Sequence, residues 1–244
     1  MFIGDYHTHS KYSADGKSTI EENMLSAERK GLKEVAVTEH AYSNLNGIKK
    51  GDLKKIVADV EMARKKHPKL EIYMGMEINL LDEKGNVDLT KEEQSLLDIA
   101  VLGFHRRCRF FKHKFSHYKM LYGKSEKQIE KNTDAYIKAL ENNKIDIIAH
   151  LNYGCKVNVK RIAEYAKEHN ILIELNGKRI LFSEKEVKDL LESGVKFIAN
   201  SDSHRSIDMG DNSRAYNFAI KYGIPLDRIV NWNDLPKFDK RLRD

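Results

Sequence analysis

The strongest constraint on the fold of this chain is a repeated alternation between short apolar runs and longer segments with helical periodicity. Seven nearly continuous apolar runs are predicted to form strands, and they lie at 2–6, 34–38, 71–77, 98–103, 145–149, 171–175 and 195–200. Such runs are typical of parallel strands that are covered on both faces, because neither face then needs polar side chains.

Helices are predicted in the intervening segments, at 18–30, 52–66, 90–96, 125–142, 158–168, 183–193 and 212–222. Ser18 and Glu21 have the spacing of an N-terminal capping box, and Ser183 and Glu186 repeat it. Strand–helix alternation favours an α/β fold with a parallel sheet. Seven repeats in 244 residues fit a closed or nearly closed βα barrel, with a doubly wound open sheet as the alternative.

No linker-like or low-complexity stretch interrupts the chain, so residues 1–244 are predicted to form one domain. No apolar run approaches the ~18 residues of a membrane span, and the N-terminus lacks the pattern of a signal peptide. The two cysteines, Cys108 and Cys155, exclude a disulfide framework and a cysteine-rich zinc site. We therefore expect a cytoplasmic protein without membrane partners.

The net charge of +6 comes from one segment of the chain. Residues 105–124 contain seven of the 43 Lys and Arg residues and no acidic residue, so 36 basic residues elsewhere face 37 acidic ones. A local excess indicates a local anionic partner, such as a phosphorylated substrate, rather than a generally basic nucleic-acid-binding surface. A solvated loop is the alternative interpretation.

Six of the ten histidines lie just past the C-terminal ends of predicted strands, where two acidic residues join them. These residues are His7, His9, His40, His105, His150 and His204, with Glu77 and Asp202. The strand ends of a βα barrel form one face, so residues far apart in sequence are predicted to converge there. The other four histidines, His67, His113, His117 and His169, are expected at the surface.

Residue spacing supports a metal site over isolated core histidines. In an extended segment, side chains at i and i+2 point the same way, as for the pairs His7/His9 and Asp202/His204. Several imidazoles with a few carboxylates suit zinc, manganese or iron. Without cations, so many polar groups would be desolvated without partners.

Four motifs resemble those of the PHP (polymerase and histidinol phosphatase) family. They are Asp5-Tyr6-His7-Thr8-His9-Ser10, Thr38-Glu39-His40, Gly75-Met76-Glu77 and Asn200-Ser201-Asp202-Ser203-His204. The resemblance extends from Asp5 to about Gly210 and is nearest to the stand-alone phosphatase branch. It implies a distorted seven-stranded barrel and a trinuclear metal centre.

The resemblance also implies how the ligands are shared among three metal ions. His7, His9 and Asp202 would bind the first ion, and Glu77 would bridge it to the second, which His105 and His150 complete. Asp15, His40 and His204 would hold the third. Many relatives have Asp where this chain has Glu39, which we expect to orient a ligand.

Three divalent ions carry more positive charge than three carboxylates neutralise. The remaining positive charge favours hydrolysis of a phosphate ester by metal-activated hydroxide. His7, His9, Glu77 and Asp202 are the predicted catalytic residues. Arg179 and Arg205 are the preferred phosphate contacts, and Arg106 and Asn176 are further candidates. Five aromatic residues lie among the basic ones: Phe110, Phe111, Phe115, Tyr118 and Tyr122. They are predicted to form a lid, to stack on a substrate ring or to pack a local helix against the barrel.

The predicted function is a metal-dependent phosphomonoesterase for a small phosphorylated metabolite, with histidinol phosphate as one candidate. The first alternative is a phosphodiesterase or 3′–5′ exonuclease, which the aromatic and basic segment favours because single-strand channels combine charge with stacking. The second alternative is a non-catalytic metal-binding scaffold. All nine predicted ligand positions hold competent residue types, which argues against a scaffold.

Overall fold

Seven parallel strands form one sheet in chain order. The computed structural model describes residues 1–109 and 113–238. The strands are β1 (Gly4–Asp5), β2 (Glu34–His40), β3 (Glu71–Asn79), β4 (Ile99–Gly103), β5 (Ile147–Ile148), β6 (Leu172–Asn176) and β7 (Phe197–Asn200), each paired with the next. Each was predicted from its apolar run.

The first and last strands approach each other and nearly close the sheet into a barrel. Thr8 and Ser203 form a parallel bridge, and the His9 amide donates to the Ser203 carbonyl at 2.8 Å. The distorted TIM-like barrel is therefore confirmed, and the doubly wound open sheet is wrong. Side chains such as Tyr6, Tyr73 and Val101 fill the interior, because every second strand residue points inward.

Helices connect the strands and cover the outside of the barrel. They are α1 (Ile20–Arg29), α2 (Asp52–Lys66), α3 (Lys91–Gln94), α4 (Lys114–Tyr122), α5 (Glu126–Asn142), α6 (Val159–Glu168), α7 (Glu184–Ser193) and α8 (Ser213–Tyr222). The helix α4 lies within the basic segment, where a local helix was one of the interpretations of the aromatic residues. None of the helices in the described ranges is long and apolar enough to cross a membrane.

The helix caps correct one prediction and confirm another. The helix α1 starts one residue later than predicted, because Thr19 and Glu22 form its capping box. Ser18 instead accepts a hydrogen bond from the Ser206 amide at 2.8 Å. The helix α7 begins with the predicted box, in which Ser183 accepts from the Glu186 amide.

Candidate active site

The structure brings all nine predicted metal-ligating residues to the C-terminal end of the barrel. Six of the seven strands end beside this group, and the remaining member, Asp15, lies in the loop between β1 and α1. The group consists of His7, His9, Asp15, His40, Glu77, His105, His150, Asp202 and His204. The convergence predicted from the strand ends is therefore present in the structure.

Glu77 lies at the centre of the group and is fully buried. Its Oε2 lies 2.6 Å from His40 Nδ1, 3.5 Å from His7 Nε2 and 3.7 Å from His9 Nε2. None of these contacts has the geometry of a hydrogen bond, so this buried oxygen has no hydrogen-bond partner among the described residues. One nitrogen from each of His7, His9 and His40 therefore faces Glu77 Oε2 without a hydrogen bond to it.

The other oxygen of Glu77 faces a second pair of histidines. Its Oε1 lies 2.8 Å from His150 Nε2 and 3.2 Å from His105 Nε2. Gly103 leaves room for this pair, because a Cβ atom there would lie 2.9 Å from Glu77 Oε1 and 3.0 Å from His150 Cε1. Glu77 therefore presents one oxygen to each of two histidine groups.

Asp15 closes the group on the solvent side. Its Oδ2 lies 3.3 Å from His204 Nε2 and 3.6 Å from His40 Nε2, and it accepts a hydrogen bond from Asn46. The Oδ1 atom of Asp15 is buried without a partner in the described part of the chain. His40 and His204 therefore face one carboxylate from two sides.

The donor set fits divalent cations. Within residues 1–109 and 113–238, three groups have one potential ligand atom per residue within 4.8 Å of one another: His7/His9/Glu77, His40/Glu77/His105 and His9/His40/His204. Several of these buried atoms lack hydrogen-bond partners there, including Nε2 of His7 and of His9. Uncompensated buried polar atoms are costly, so their concentration at one point indicates a cation site.

Two carboxylates and one imidazole of the group have protonation states that suit cation binding. Burial opposes ionisation of Glu77, but surrounding imidazoles, that of His105 foremost, outweigh it and hold the pKa well below its usual range. The pKa of Asp202 is likewise lowered against the effect of burial, chiefly by His7. Burial and neighbouring imidazoles hold the pKa of His9 well below its usual value. Ionised carboxylates and a neutral imidazole are the forms that bind metals. Burial is outweighed by nearby carboxylates at His7 and His40, whose pKa values are raised, the latter to about 10, so a cation would displace protons from these two imidazoles.

Glu174 on β6 supports the group and was not singled out from the sequence. Its Oε1 lies 2.8 Å from His7 Nδ1, and its Oε2 accepts from the His150 amide at 2.9 Å. Asn176 and Asn200 also donate to this buried carboxylate. An acid inside the apolar run 171–175 was the available signal, because a charge is rarely buried there without partners.

His105 and His9 are oriented by other neighbours. His105 Nδ1 contacts Asn79 Oδ1, and the Asn79 side chain donates to Asp88 at 2.7 Å. Glu39 accepts from the Ser13 hydroxyl, whose oxygen also lies 3.4 Å from His9 Nδ1. Glu39 thus reaches a ligand through Ser13, as expected from its place in the second motif.

The backbone is strained at two members of the group. His150 has φ of 27° and Asp202 has φ of 52°, in the left-handed region that residues other than Gly seldom adopt, although Asn, Asp and His adopt it more often than the rest. Such conformations cost roughly 1–3 kcal/mol each and persist where the surroundings enforce them. Both residues follow a strand end, where the His150 side chain lies against Glu77 and the Asp202 side chain lies against His9.

A cavity of about 820 Å³ opens onto the group and contains two of the predicted substrate-binding residues. Arg106 and Arg179 line it, together with Arg107, Tyr153 and Lys178. Lys178 was missed by the sequence analysis. Its Nζ lies 3.3 Å from Asp202 Oδ1 and 2.5 Å from His204 Nδ1.

The other two predicted substrate contacts have different roles. Arg205 is exposed and forms a two-point ion pair with Asp208, at 2.8 and 3.0 Å, and it is not among the described residues that line the cavity. Asn176 is buried, and its amide bonds to Glu174, Asp202 and the backbone amides of residues 178 and 179. Asn176 therefore shapes the loop after β6. Both residues were predicted to contact the substrate, and neither is among the described residues that line the cavity.

The surface prediction is wrong for two of the four remaining histidines. His117 is fully buried and stacks on Phe104, and its Nε2 lies 2.9 Å from the His105 carbonyl. His67 is buried beside Glu28. His169 is exposed as expected, and the half-buried His113 contacts Asp82.

The basic segment contributes Arg106, Arg107 and Tyr122 to the cavity wall. Tyr118 and Tyr122 stack on each other with ring centres 5.8 Å apart, and Phe115 is exposed. Phe110 and Phe111, which were also predicted to form a lid or a stacking surface, lie outside the described residues.

Comparison with known proteins decides the family. The family model described as the PHP domain matches residues 5–180. The chain belongs to the PHP domain family. A probable phosphatase of Thermoanaerobacter pseudethanolicus is 30% identical over 98% of this chain and 94% of its own length. This PHP protein is a metal-dependent phosphoesterase, as the sequence analysis predicted. The motif that contains Asp202 and His204 lies beyond the matched range.

Two solved structures of similar fold are histidinol phosphatases by name. A histidinol phosphate phosphatase of Lactococcus lactis, in complex with zinc, L-histidinol and phosphate, superposes with a TM-score of 0.62 at 17% identity and covers 98% of this PHP chain and 97% of its own. A Listeria monocytogenes protein assigned as a histidinol phosphatase has a TM-score of 0.64 at 19% identity, with 87% and 99% covered. At these identities the likeness concerns the fold.

Proposed function

We propose that the whole chain, residues 1–244, is one PHP-type phosphomonoesterase domain that hydrolyses a small phosphorylated metabolite at a centre of three divalent ions. The observation that carries the proposal is the position of Glu77, which presents one carboxylate oxygen to each of two histidine groups. A carboxylate that bridges two ions needs this arrangement.

The ligands divide among three positions. His7, His9 and Asp202 would hold the first ion, Glu77 would be shared between the first and the second, and His105 and His150 would complete the second. Asp15, His40 and His204 would hold the third. The short contacts of Asp15 with both His40 and His204 support the last group. Zinc, manganese and iron all suit imidazole and carboxylate ligands.

The chain's own residues bind and orient the substrate. When bound, the divalent ions supply a water of lowered pKa as nucleophile and stabilise the charge on the phosphoryl oxygens. Glu174 accepts from His7 Nδ1, so Nε2 of that imidazole keeps its lone pair for the centre. Lys178 lines the approach beside Asp202 and presents N–H donors to phosphate oxygens, and Arg106 and Arg179 line the same cavity.

The relatives support a small phosphorylated substrate. The Thermoanaerobacter relative is named a probable phosphatase, and the Lactococcus structure contains L-histidinol and phosphate. A cavity of about 820 Å³ accommodates a metabolite of this size.

Turnover of three substrates tests the proposal. Protein loaded with Mn²⁺, Zn²⁺ or Fe²⁺ is expected to hydrolyse p-nitrophenyl phosphate well above bis-p-nitrophenyl phosphate and a labelled oligonucleotide. His9→Ala and Asp202→Ala are expected to lose about 10³-fold or more in kcat while the circular dichroism spectrum is kept. His169→Ala removes an exposed imidazole outside the cavity and serves as the matched control.

Two outcomes would refute the proposal. Activity confined to the oligonucleotide would indicate the exonuclease alternative. Protein that remains inert towards all three substrates after metal addition would indicate a scaffold.

A further inference from the structure

The wall of the cavity carries positive charge that has no carboxylate partner within residues 1–109 and 113–238. Arg106, Arg107 and Arg179 line it, and in the part of the chain that the structure describes none of their guanidinium groups pairs with a carboxylate. Arginines elsewhere do pair, as Arg161 does with Glu130 and Asp134. Guanidinium groups that line a concave surface and are not paired with carboxylates recognise an anion.

The acidic residues of the cavity do not offset this charge. Asp15, Glu77 and Asp202 are the acids among its described lining residues. Each of them contacts imidazoles of the histidine group, and Asp202 also contacts Lys178. Their charge therefore belongs to the cation site, and the guanidinium groups of the wall stay uncompensated.

Arg179 is held in place on this wall. Its guanidinium carbon lies 4.2 Å from the centre of the Tyr153 ring. The Tyr153 ring in turn lies edge-on to His150, with ring centres 5.4 Å apart. A cation–π contact of this kind orients the guanidinium without neutralising it. Arg179 therefore stands one aromatic ring away from the ligand group, with its charge available to a substrate.

We infer that the substrate is a phosphomonoester that carries a second anionic group, a carboxylate or another phosphate, which Arg106, Arg107 and Arg179 bind while the first phosphate lies at the histidine group. This inference rests on the proposed function. It disfavours histidinol phosphate, because the histidinol amine is cationic near neutral pH and would face a cationic wall. A site that binds a phosphate dianion alone would not need three further guanidinium groups.

Binding of phosphonates tests the inference without turnover, since their C–P bond resists hydrolysis. The metal-loaded protein is titrated calorimetrically with ω-carboxyalkylphosphonates of two to six methylenes, and with alkylphosphonates and ω-aminoalkylphosphonates of the same lengths. At the optimal length the carboxylate is expected to bind about 10-fold or more tightly than the neutral analogue, and the amine more weakly. Alkylene diphosphonates show whether a second phosphate is preferred to a carboxylate.

Substitution of the arginines that line the cavity tests whether they cause the tighter binding of the carboxyalkylphosphonate. Arg179→Ala and Arg106→Ala are each expected to remove most of the carboxylate advantage while affinity for the neutral alkylphosphonate changes little. Arg29→Ala removes an exposed arginine of α1 outside this cavity and should keep the advantage.

Equal affinity for the three series at every length, or tightest binding of the amine, would overturn the inference. The two failures are distinguishable, because the order of affinities is measured without turnover. If the metal-loaded wild-type protein does not hydrolyse p-nitrophenyl phosphate, the proposed function is overturned instead.

Discussion

Glu174 Oε1 lies 2.8 Å from His7 Nδ1, and both side chains are fully buried at the end of the barrel. The two residues are 167 positions apart in the chain. Burial opposes ionisation of Glu174, but the neighbouring His7 outweighs it and lowers the pKa of the carboxyl. Glu174 is therefore a carboxylate that fixes the orientation and tautomer of an imidazole that we propose as a metal ligand.

The first prediction concerns Glu174→Gln. Gln has one acceptor oxygen, whereas Glu174 accepts from four donors: His7, Asn176, Asn200 and the His150 amide. We expect a 10- to 100-fold loss of metal affinity and a loss of unfolding free energy of about 1–3 kcal/mol. Chelator competition and urea denaturation measure the two effects. Unchanged metal affinity would contradict the assigned role.

The second prediction concerns Gly103→Ala. An added methyl group would press on Glu77 and His150, at 2.9 and 3.0 Å, and so displace two members of the ligand group. We expect metal affinity to fall about 10-fold, which chelator competition measures.

Gly75→Ala is the matched control for this change. Its methyl group would press on the side chains of Ile99 and Thr38 instead, at 2.6 and 2.8 Å. It should cost about 1–3 kcal/mol of stability with metal affinity kept. An equal effect of both variants on metal affinity would count against the specific role of Gly103.

The third prediction separates Arg205 from Arg179. Arg205 is engaged by Asp208 on the surface, whereas Arg179 lines the cavity. Arg205→Ala is expected to leave KM for p-nitrophenyl phosphate within about two-fold of the wild-type value, in line with other exposed substitutions. A ten-fold rise in KM would restore the original prediction that Arg205 contacts the substrate.

The fourth prediction concerns the thiols. Burial raises the pKa of Cys108 to about 12 and also raises that of Cys155. At pH 8 only about one Cys108 side chain in ten thousand would be the reactive thiolate. Ellman's reagent is expected to modify neither thiol in the native protein and both in urea. Rapid native modification of one thiol would show that the burial is incomplete.

The sequence predicted the features that depend on local patterns. Parallel strands were predictable because each is covered on both faces and therefore apolar throughout. The histidines after β1 and β5 were predicted to meet because parallel strands place their C-terminal ends on one face. The capping box at Ser183 was predictable because all its atoms lie within one turn.

Contacts between distant segments were less predictable. His117 was expected at the surface, because its stacking on Phe104 depends on how α4 packs after β4. One local contact was missed as well, since Arg205 was expected to face the substrate but forms an ion pair with Asp208, three residues further on. Glu174 was not singled out, since an acid inside an apolar run shows its partners only once the neighbouring strands are in place.

The sequence by itself determined the seven-fold strand–helix alternation, the family motifs and the residue types available at the strand ends. Only the tertiary structure decided which atoms meet. It placed Glu77 between two histidine groups and Glu174 against His7, and it brought three arginines to the wall of one cavity. The physical reason is that periodicity is a property of neighbouring residues, whereas these contacts depend on the twist and closure of the whole sheet.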